Sequence, residues 1–323
     1  MNQNFRQSRC APHRPYRTIT ARVTRRARAA AAAGLLAITM MLAGVGIGPA
    51  GAAPTPPGTL YITEFGDITE FGAGTVVSLP VSGGTPTTLT TGLNGPSGIA
   101  AAGDTLYVTE FDTGTVVSLP VSGGTPTTLT TGLNGPTGIA VAADTLYVTE
   151  IDTNTVVSLP VSGGTPTTLT TGLNGRPTGI AVSGDTLYIT EYFGGAVVSL
   201  PVSGGTPTTL TTGLNKPEGI AAAGDTLYVT EFDTGTVVSL PVFGGAPTTL
   251  ATGLNAPTGI AVAGDALYVT ESGTGSVVSL PVSGGTPTTV TTGLDRPFGV
   301  AVQPGSPACS GSVCLPSFGS SGS

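Results

Sequence analysis

The chain has 323 residues, of which only 9% are charged, with 18 Asp+Glu against 11 Lys+Arg, three cysteines, one histidine and no tryptophan. Eight of the eleven cations (Arg6, Arg9, Arg14, Arg17, Arg22, Arg25, Arg26 and Arg28) and His13 precede residue 53, so the remainder sets 18 acids against Arg176, Lys216 and Arg296, a net charge of −15. Such a surface repels phosphate backbones and anionic headgroups, which argues against nucleic-acid binding and membrane attachment, and the remainder has no imidazole for acid–base chemistry.

The first element is a leader. The arginines precede an apolar, Ala-rich stretch from Ala29 to Gly48 that ends in the small-residue site Ala50-Gly51-Ala52. This pattern predicts a signal peptide over residues 1–52, and a permanent membrane helix is the weaker reading because the apolar run is modest in length and a cleavage site follows it. The expected destination is therefore secreted, extracellular or in the cell envelope, with no membrane insertion after cleavage. Thr24-Arg25-Arg26 leaves the choice between the general and the twin-arginine export route open.

After a linker over 53–59 the chain becomes a repeat. The Leu that opens "LYVTE" or "LYITE" falls at Leu60, Leu106, Leu146, Leu187, Leu227 and Leu267, a spacing of 40 or 41 residues except for a longer first unit. Within one unit, "GIAVA", "TLYVTE", "TVVSLPV" and "TTLTTGL" are β-branched and aromatic runs separated by Gly, Pro, Asn and Asp, and no apolar period of 3.6 occurs after the leader. Four short antiparallel strands repeated six times predict an all-β six-bladed β-propeller. The Gly/Ala-rich "GIAVA" suits the crowded axis and the Thr-rich "TTLTTGL" a wet outer edge. The rival is a β-solenoid. The ends of the array argue for a ring: the first copy lacks its own "GIAVA", and "GVAVQ" at Gly299–Gln303 has no "LYVTE" after it. Joining the last strand to the first three removes free edges. The expected blades are 299–303 with 60–93, then 98–133, 138–173, 179–214, 219–254 and 259–294.

The string "GLNGPTGIAVAADTLYVTEIDTNTVVSLPV" resembles the NHL repeat, with that repeat's P-x-G-I-A-V strand and its V-Y-V-T/A-D/E strand end, here L-Y-V-T-E, and is similar to the propeller sensor domains of bacterial receptor kinases. The resemblance spans residues 58 to 303 and implies a six-bladed propeller acting as a binding platform. More distantly it extends to the virginiamycin B lyase and gluconolactonase groups of the same fold, which are metal-dependent enzymes.

Glu64 or Glu70, then Glu110, Glu150, Glu191, Glu231 and Glu271 close the second strand of each blade and would ring one face. A divalent cation such as calcium is the sharp reading of that ring. Geometry opposes it: the second strand lies about 4.8 Å outside the innermost one, so neighbouring glutamates sit roughly 10 Å apart, whereas calcium needs oxygens about 2.3–2.6 Å from one point. The expected role is structural, with each Glu accepting N–H groups in its own turn or in the adjacent inter-blade loop. No metal site and no cofactor is assigned.

A specific site requires that the copies differ. Arg176, Lys216 and Arg296 stand before the inter-blade proline where other copies have Gly or Ala, Glu218 and Phe298 replace small or hydroxyl residues just beyond it, and Tyr192-Phe193 is the least repetitive aromatic pair. The candidate ligand-binding residues are Tyr192, Phe193, Arg296, Phe298, Arg176 and Lys216, a mixture suited to a peptide, a sugar or a cationic small molecule. In the Gly/Ser-rich tail over 304–323, Cys309 and Cys314 form an even pair five positions apart, expected as a disulfide in an oxidising compartment. The expected function is a secreted, non-catalytic monomeric platform for an extracellular ligand or protein. The alternatives are a lactonase- or lyase-like propeller enzyme and a purely structural repeat protein. The histidine that lyase chemistry in that group uses is absent from the mature chain, which weighs against an enzyme.

Overall fold

The computed structural model of the protein describes residues 58–66 and 72–303. The expected signal peptide, residues 53–57, Glu70, Phe71, Cys309 and Cys314 lie outside the described residues. Those described form strands and no helix. In chain order they are β1 (Thr59–Glu64), β2 (Gly74–Pro80), β3 (Thr87–Leu93), β4 (Pro96–Ala102), β5 (Thr105–Glu110), β6 (Thr115–Pro120), β7 (Thr127–Thr130), β8 (Pro136–Ala142), β9 (Thr145–Glu150), β10 (Thr155–Pro160), β11 (Thr167–Thr170) and β12 (Pro177–Ser183). There follow β13 (Thr186–Glu191), β14 (Ala196–Pro201), β15 (Thr208–Thr211), β16 (Pro217–Ala223), β17 (Thr226–Glu231), β18 (Thr236–Pro241), β19 (Thr248–Ala251), β20 (Pro257–Ala263), β21 (Ala266–Glu271), β22 (Ser276–Pro281), β23 (Thr288–Thr292) and β24 (Pro297–Gln303).

They make six four-stranded antiparallel sheets. Five are sequential hairpin meanders, from β4 to β7 through to β20 to β23, and the sixth has the order β24-β1-β2-β3. In that sheet Tyr61 pairs with Ala301 and Ile62 with Val300. The chain is a six-bladed β-propeller whose innermost strands β4, β8, β12, β16, β20 and β24 neighbour one another around an axis, with β24 beside β4. Each inner strand begins at its proline, two residues before the Gly expected from the sequence, because a bulge carries the pairing on from Ile139↔Val148 to Pro136↔Glu150. Most outer strands are shorter than the "TTLTTGL" run. In blade 2 pairing ends at Thr130, whereas β3 runs on to Leu93.

The second strand reads as a nearly continuous apolar run because it is buried on both faces. In blade 2, Leu106, Val108, Val117 and Leu119 pack against Tyr61, Val76, Leu93 and Ala301 of blade 1. Ala100, Tyr107 and Val116 point the other way, onto Ile139, Leu146, Val148 and Leu159 of blade 3. The core is thus six equivalent inter-blade clusters. The tyrosine of "LYVTE" belongs to the interface with the next blade in each, as Tyr228 does against Leu267 and Val269.

An apolar interface alone does not fix how two sheets slide. That is done by the threonine preceding each glutamate, which is wholly buried in all six blades (Thr63, Thr109, Thr149, Thr190, Thr230 and Thr270). Each Oγ1 donates to a backbone carbonyl of the next blade's inner strand: Thr63 to Ser97, Thr109 to Thr137, Thr149 to Thr178, Thr190 to Glu218, Thr230 to Thr258 and Thr270 to Phe298, all at 2.6–2.7 Å. The same oxygen accepts the N–H of its own blade's inner-strand glycine at 2.8 Å, as Thr149 does from Gly138. The glycine is needed because the neighbouring blade comes so close: a Cβ on Gly138 would stand 2.3 Å from the Thr178 carbonyl oxygen, and one on Gly98 2.2 Å from that of Thr137. Among the described residues no helix is long and apolar enough to cross a membrane.

Thr149→Val keeps shape and β-propensity but strands the Gly138 N–H and leaves the Thr178 carbonyl only the long 3.4 Å bond from the Thr137 hydroxyl. At about 1–3 kcal/mol for each orphaned buried group, the variant is expected to lose roughly 2–4 kcal/mol of unfolding free energy in a urea titration. A loss equal to that of Thr153→Val, a change at the exposed turn beside it, would show that the link carries no stability.

Candidate functional site

Antiparallel pairing sets the end of each second strand beside the start of each inner strand, as in Pro177↔Glu191 and Pro217↔Glu231. The loops that follow the glutamates therefore share a face with the inter-blade loops. Backbone bonds lock the two together: the N–H of Phe65, Phe111, Ile151, Tyr192, Phe232 and Ser272 donates to the carbonyl of Arg296, Gly95, Gly135, Arg176, Lys216 and Ala256 respectively, at 2.9–3.2 Å.

A funnel of about 470 Å³ opens on this face. Its wall holds the residue after each glutamate (Phe65, Phe111, Ile151, Tyr192, Phe232 and Ser272), its floor the residue after each inter-blade proline (Ser97, Thr137, Thr178, Glu218, Thr258 and Phe298), and Arg176 and Arg296 complete it. A throat of about 80 Å³ continues between the glycines and isoleucines of the inner strands.

The floor hydroxyls are already engaged. Ser97, Thr137, Thr178 and Thr258 each direct their hydroxyl at the next blade, as Thr178 does at the carbonyls of Pro217 (3.2 Å) and Glu218 (3.1 Å). Glu218 and Phe298 are the two floor positions without that link. The ring glutamates are engaged too. Each accepts, at 2.5–2.9 Å, the backbone N–H of the inter-blade loop: Asp295 on Glu64, Asn94 on Glu110, Asn134 on Glu150, Asn174 on Glu191, Asn215 on Glu231 and Asn255 on Glu271. In five of the six the other oxygen takes a hydroxyl from the start of the third strand, Thr75, Thr115, Thr155, Thr236 or Ser276, and Glu191 faces Ala196 there instead. Among the described residues no three His, Cys, Asp or Glu side chains come together as a cation site requires.

The aromatic residues fall into two groups. Tyr192 meets Phe193 edge-on at 5.1 Å and Phe232 at 6.2 Å, and Phe65 meets Phe298 at 6.4 Å. The cations lie over these rings: Arg176 at 5.6 Å from Phe193, Lys216 at 5.7 Å from Tyr192 and Arg296 at 5.1 Å from Phe65. Lys216 is also paired with Asp233 at 2.8 Å, whose hydrogen bond raises its pKa. Arg296 donates to the Gly66 carbonyl. The Arg176 N–H is held by the Asn154 side chain at 2.8 Å. Arg176, Lys216 and Arg296 all sit at positive φ (61°, 49° and 49°), where Gly95 and Gly135 stand in other copies. A non-glycine residue there costs about 1–2 kcal/mol, and such strain gathers at functional sites.

Glu218 is the one carboxyl that lines the funnel. It is 8% exposed, and among the described residues its side chain makes no hydrogen bond, its oxygens staying open to the funnel. Burial pushes its pKa from 4.5 up to about 8, with Arg176 pulling weakly the other way. Tyr192 is raised as well, first by burial and then by the charge of Glu218.

Of the six residues named from sequence, the structure brings Arg176, Tyr192, Arg296 and Phe298 into the funnel. Phe193 stays 65% exposed behind Tyr192, and Lys216 stands outside with Asp233. Glu218 registered in sequence as a departure from the repeat, but its place at the axis did not.

No family model matches the chain, and no curated protein matches it. Among solved structures, the chain is similar to one from a nidogen/laminin complex, with a TM-score of 0.66 and 20% identity over 76% of this chain and 98% of that one. It is also similar to virginiamycin B lyase from Staphylococcus aureus, with a TM-score of 0.56 and 19% identity over 70% of this chain and 80% of the other. At such identity the likeness shows the propeller fold, shared with chains of quite different roles.

The raised carboxyl makes stability depend on pH. The folded chain keeps the Glu218 proton to about pH 8 and the unfolded chain releases it near 4.5, so stability falls as pH rises through that window and levels off above it. Glu218→Gln removes this dependence: measured as the difference from wild type in urea titrations, the variant gains roughly 3–5 kcal/mol between the two limits. A difference that stays constant with pH would show that burial does not hold the proton on Glu218.

Proposed function

We propose that the protein is an exported, non-catalytic β-propeller that binds an extracellular ligand, a small molecule or a segment of another protein, through the funnel. The observation that carries this reading is that the funnel is lined where the copies depart from one another. Arg176, Glu218, Arg296 and Phe298 break the repeat there, while the residues that link the blades do not. A concave site that sets aromatic side chains beside a few convergent polar groups is what small-molecule and peptide recognition uses. Export is supported by the arginine-rich, Ala-rich leader, and a non-catalytic role by the absence of histidine after residue 13. Likeness to a chain from a complex of two proteins accords with recognition as the task. A lactonase- or lyase-like enzyme is the alternative, and it gains from the likeness to virginiamycin B lyase only at the level of fold.

The test is native mass spectrometry of the purified protein against fractionated culture medium. Saturable, unmodified adducts are expected, with affinity falling at least about tenfold in a Tyr192→Ala, Arg296→Ala, Phe298→Ala variant that melts within a few degrees of wild type. Binding unchanged in that variant would move the site elsewhere, and a mass change in the ligand would make the protein an enzyme.

A further inference from the structure

We infer that the funnel holds the carboxylate end of an amphipathic organic acid, with Arg176 as its cationic anchor, Glu218 as the hydrogen-bond donor beneath it, and Tyr192, Phe232 and Phe298 as its apolar wall. This rests on the funnel being the binding site and goes further in naming what it takes.

The floor hydroxyls are occupied by the inter-blade links, and Ser272 is bonded to the Ala256 carbonyl, so they offer little to a ligand. What remains is Arg176, Arg296, Glu218 and the Tyr192 hydroxyl. Among the described residues Arg176 is in no ion pair, for the one that occurs joins Lys216 to Asp233. The chain inserts a residue to place Arg176, keeps it in a left-handed conformation next to Gly175, and lays its guanidinium over Phe193. A cation that is held in position and left without a counter-ion is preorganised for an anion, and a guanidinium matches a carboxylate with two parallel N–H donors.

Glu218 supplies the complementary half. The residue is more than nine-tenths buried and lines both funnel and throat, and its carboxyl oxygens make no hydrogen bond among the described residues and are not sealed from the funnel. It lies near enough to Arg176 to be influenced by its charge, yet the two are not in salt-bridge contact. A ligand carboxylate between them would receive N–H groups from one side and O–H from the other. With burial keeping Glu218 protonated at neutral pH, the formal charges lining the funnel are Arg176 and Arg296, both positive, so an ammonium would meet like charge.

Every other titratable group around Glu218 is accounted for. Glu191 is bonded to the Asn174 N–H, and Glu231 to Asn215 and Thr236. Lys216 is neutralised by Asp233, β20 carries no titratable side chain, and Tyr192 is an ordinary neutral phenol whose pKa burial raises further. The acidic ring opposes a bare inorganic anion by its field, so affinity must come from the aromatic wall as well as from Arg176.

Isothermal titration calorimetry of the purified protein with 3-phenylpropanoate, 3-phenylpropanamide and 3-phenylpropylamine compares one apolar body with three head groups. The carboxylate is expected to bind at least about tenfold more tightly than the amide and the amine at pH 7, and to weaken by about tenfold per unit above pH 8 as Glu218 ionises. Arg176→Ala should cost about tenfold or more, and it should fold, because Ala256 holds the equivalent position at φ 49°. Glu218→Gln should lose the alkaline decline, since its amide N–H persists at every pH. The assignment is overturned if the amine or the amide binds as tightly as the carboxylate, if Arg176→Ala leaves affinity intact, if wild-type binding ignores pH, or if none of the three binds. Amine or amide binding that Phe298→Ala abolishes would sink the carboxylate assignment alone and leave the funnel a binding site. The screen against culture medium decides that broader reading independently.

Discussion

The structure depends on one polar contact repeated around a ring: a buried threonine hydroxyl that takes a glycine N–H from its own blade and gives its proton to a carbonyl of the next. Apolar surface drives the blades together but is indifferent to their relative phase, since Val and Leu side chains can slide past one another at small cost. A hydrogen bond between wholly buried groups is not indifferent, because a small displacement leaves donor and acceptor without water or partner. The six threonines therefore fix the phase of each blade against the next, including the join where Thr270 reaches Phe298 and Thr63 reaches Ser97. With phase fixed, the prolines and glutamates of all blades come to one face and the residues beside them to one funnel.

A structure held by identical contacts can vary only where those contacts are not made. At the floor of the funnel four positions carry a second hydroxyl link and two do not, and these two are Glu218 and Phe298. The chain forgoes stabilisation at both, and Glu218 adds the cost of a buried acid. Arg176 and Arg296 occupy left-handed positions that glycine would fill without strain. Natural proteins give up stability in this way at functional sites, and here all four departures point into the same cavity.

Much of the architecture was legible because the physics is local. Short β-branched runs between Gly, Pro and Asp at a 40-residue spacing leave few alternatives, and the complementary ends of the array anticipate the pairing of Ile62 with Val300. The threonine of "LYVTE" escaped notice because in sequence it resembles any β-branched strand residue, and its partner lies about thirty residues away in another sheet. Sequence departures identified four funnel residues but ranked them by rarity, which equally selected Phe193 and Lys216. The structure separates them by what sequence does not encode locally: Phe193 meets Tyr192 edge-on and stays exposed, and Lys216 has Asp233 within reach. Glu218 is the converse case. Burial, which depends on the whole ring, turns an ordinary acid into an unpaired one at the axis.

The most direct test of a ring held by uniform inter-blade links is native-state amide hydrogen exchange at Gly98, Gly138, Gly179, Gly219, Gly259 and Gly299, whose N–H groups all donate to the linking threonines. The six amides are expected to exchange as one class, at the free energy of global unfolding. Gly299 and Gly98 exchanging by local opening, far faster than the other four, would contradict a ring joined as firmly at its ends as between its other blades.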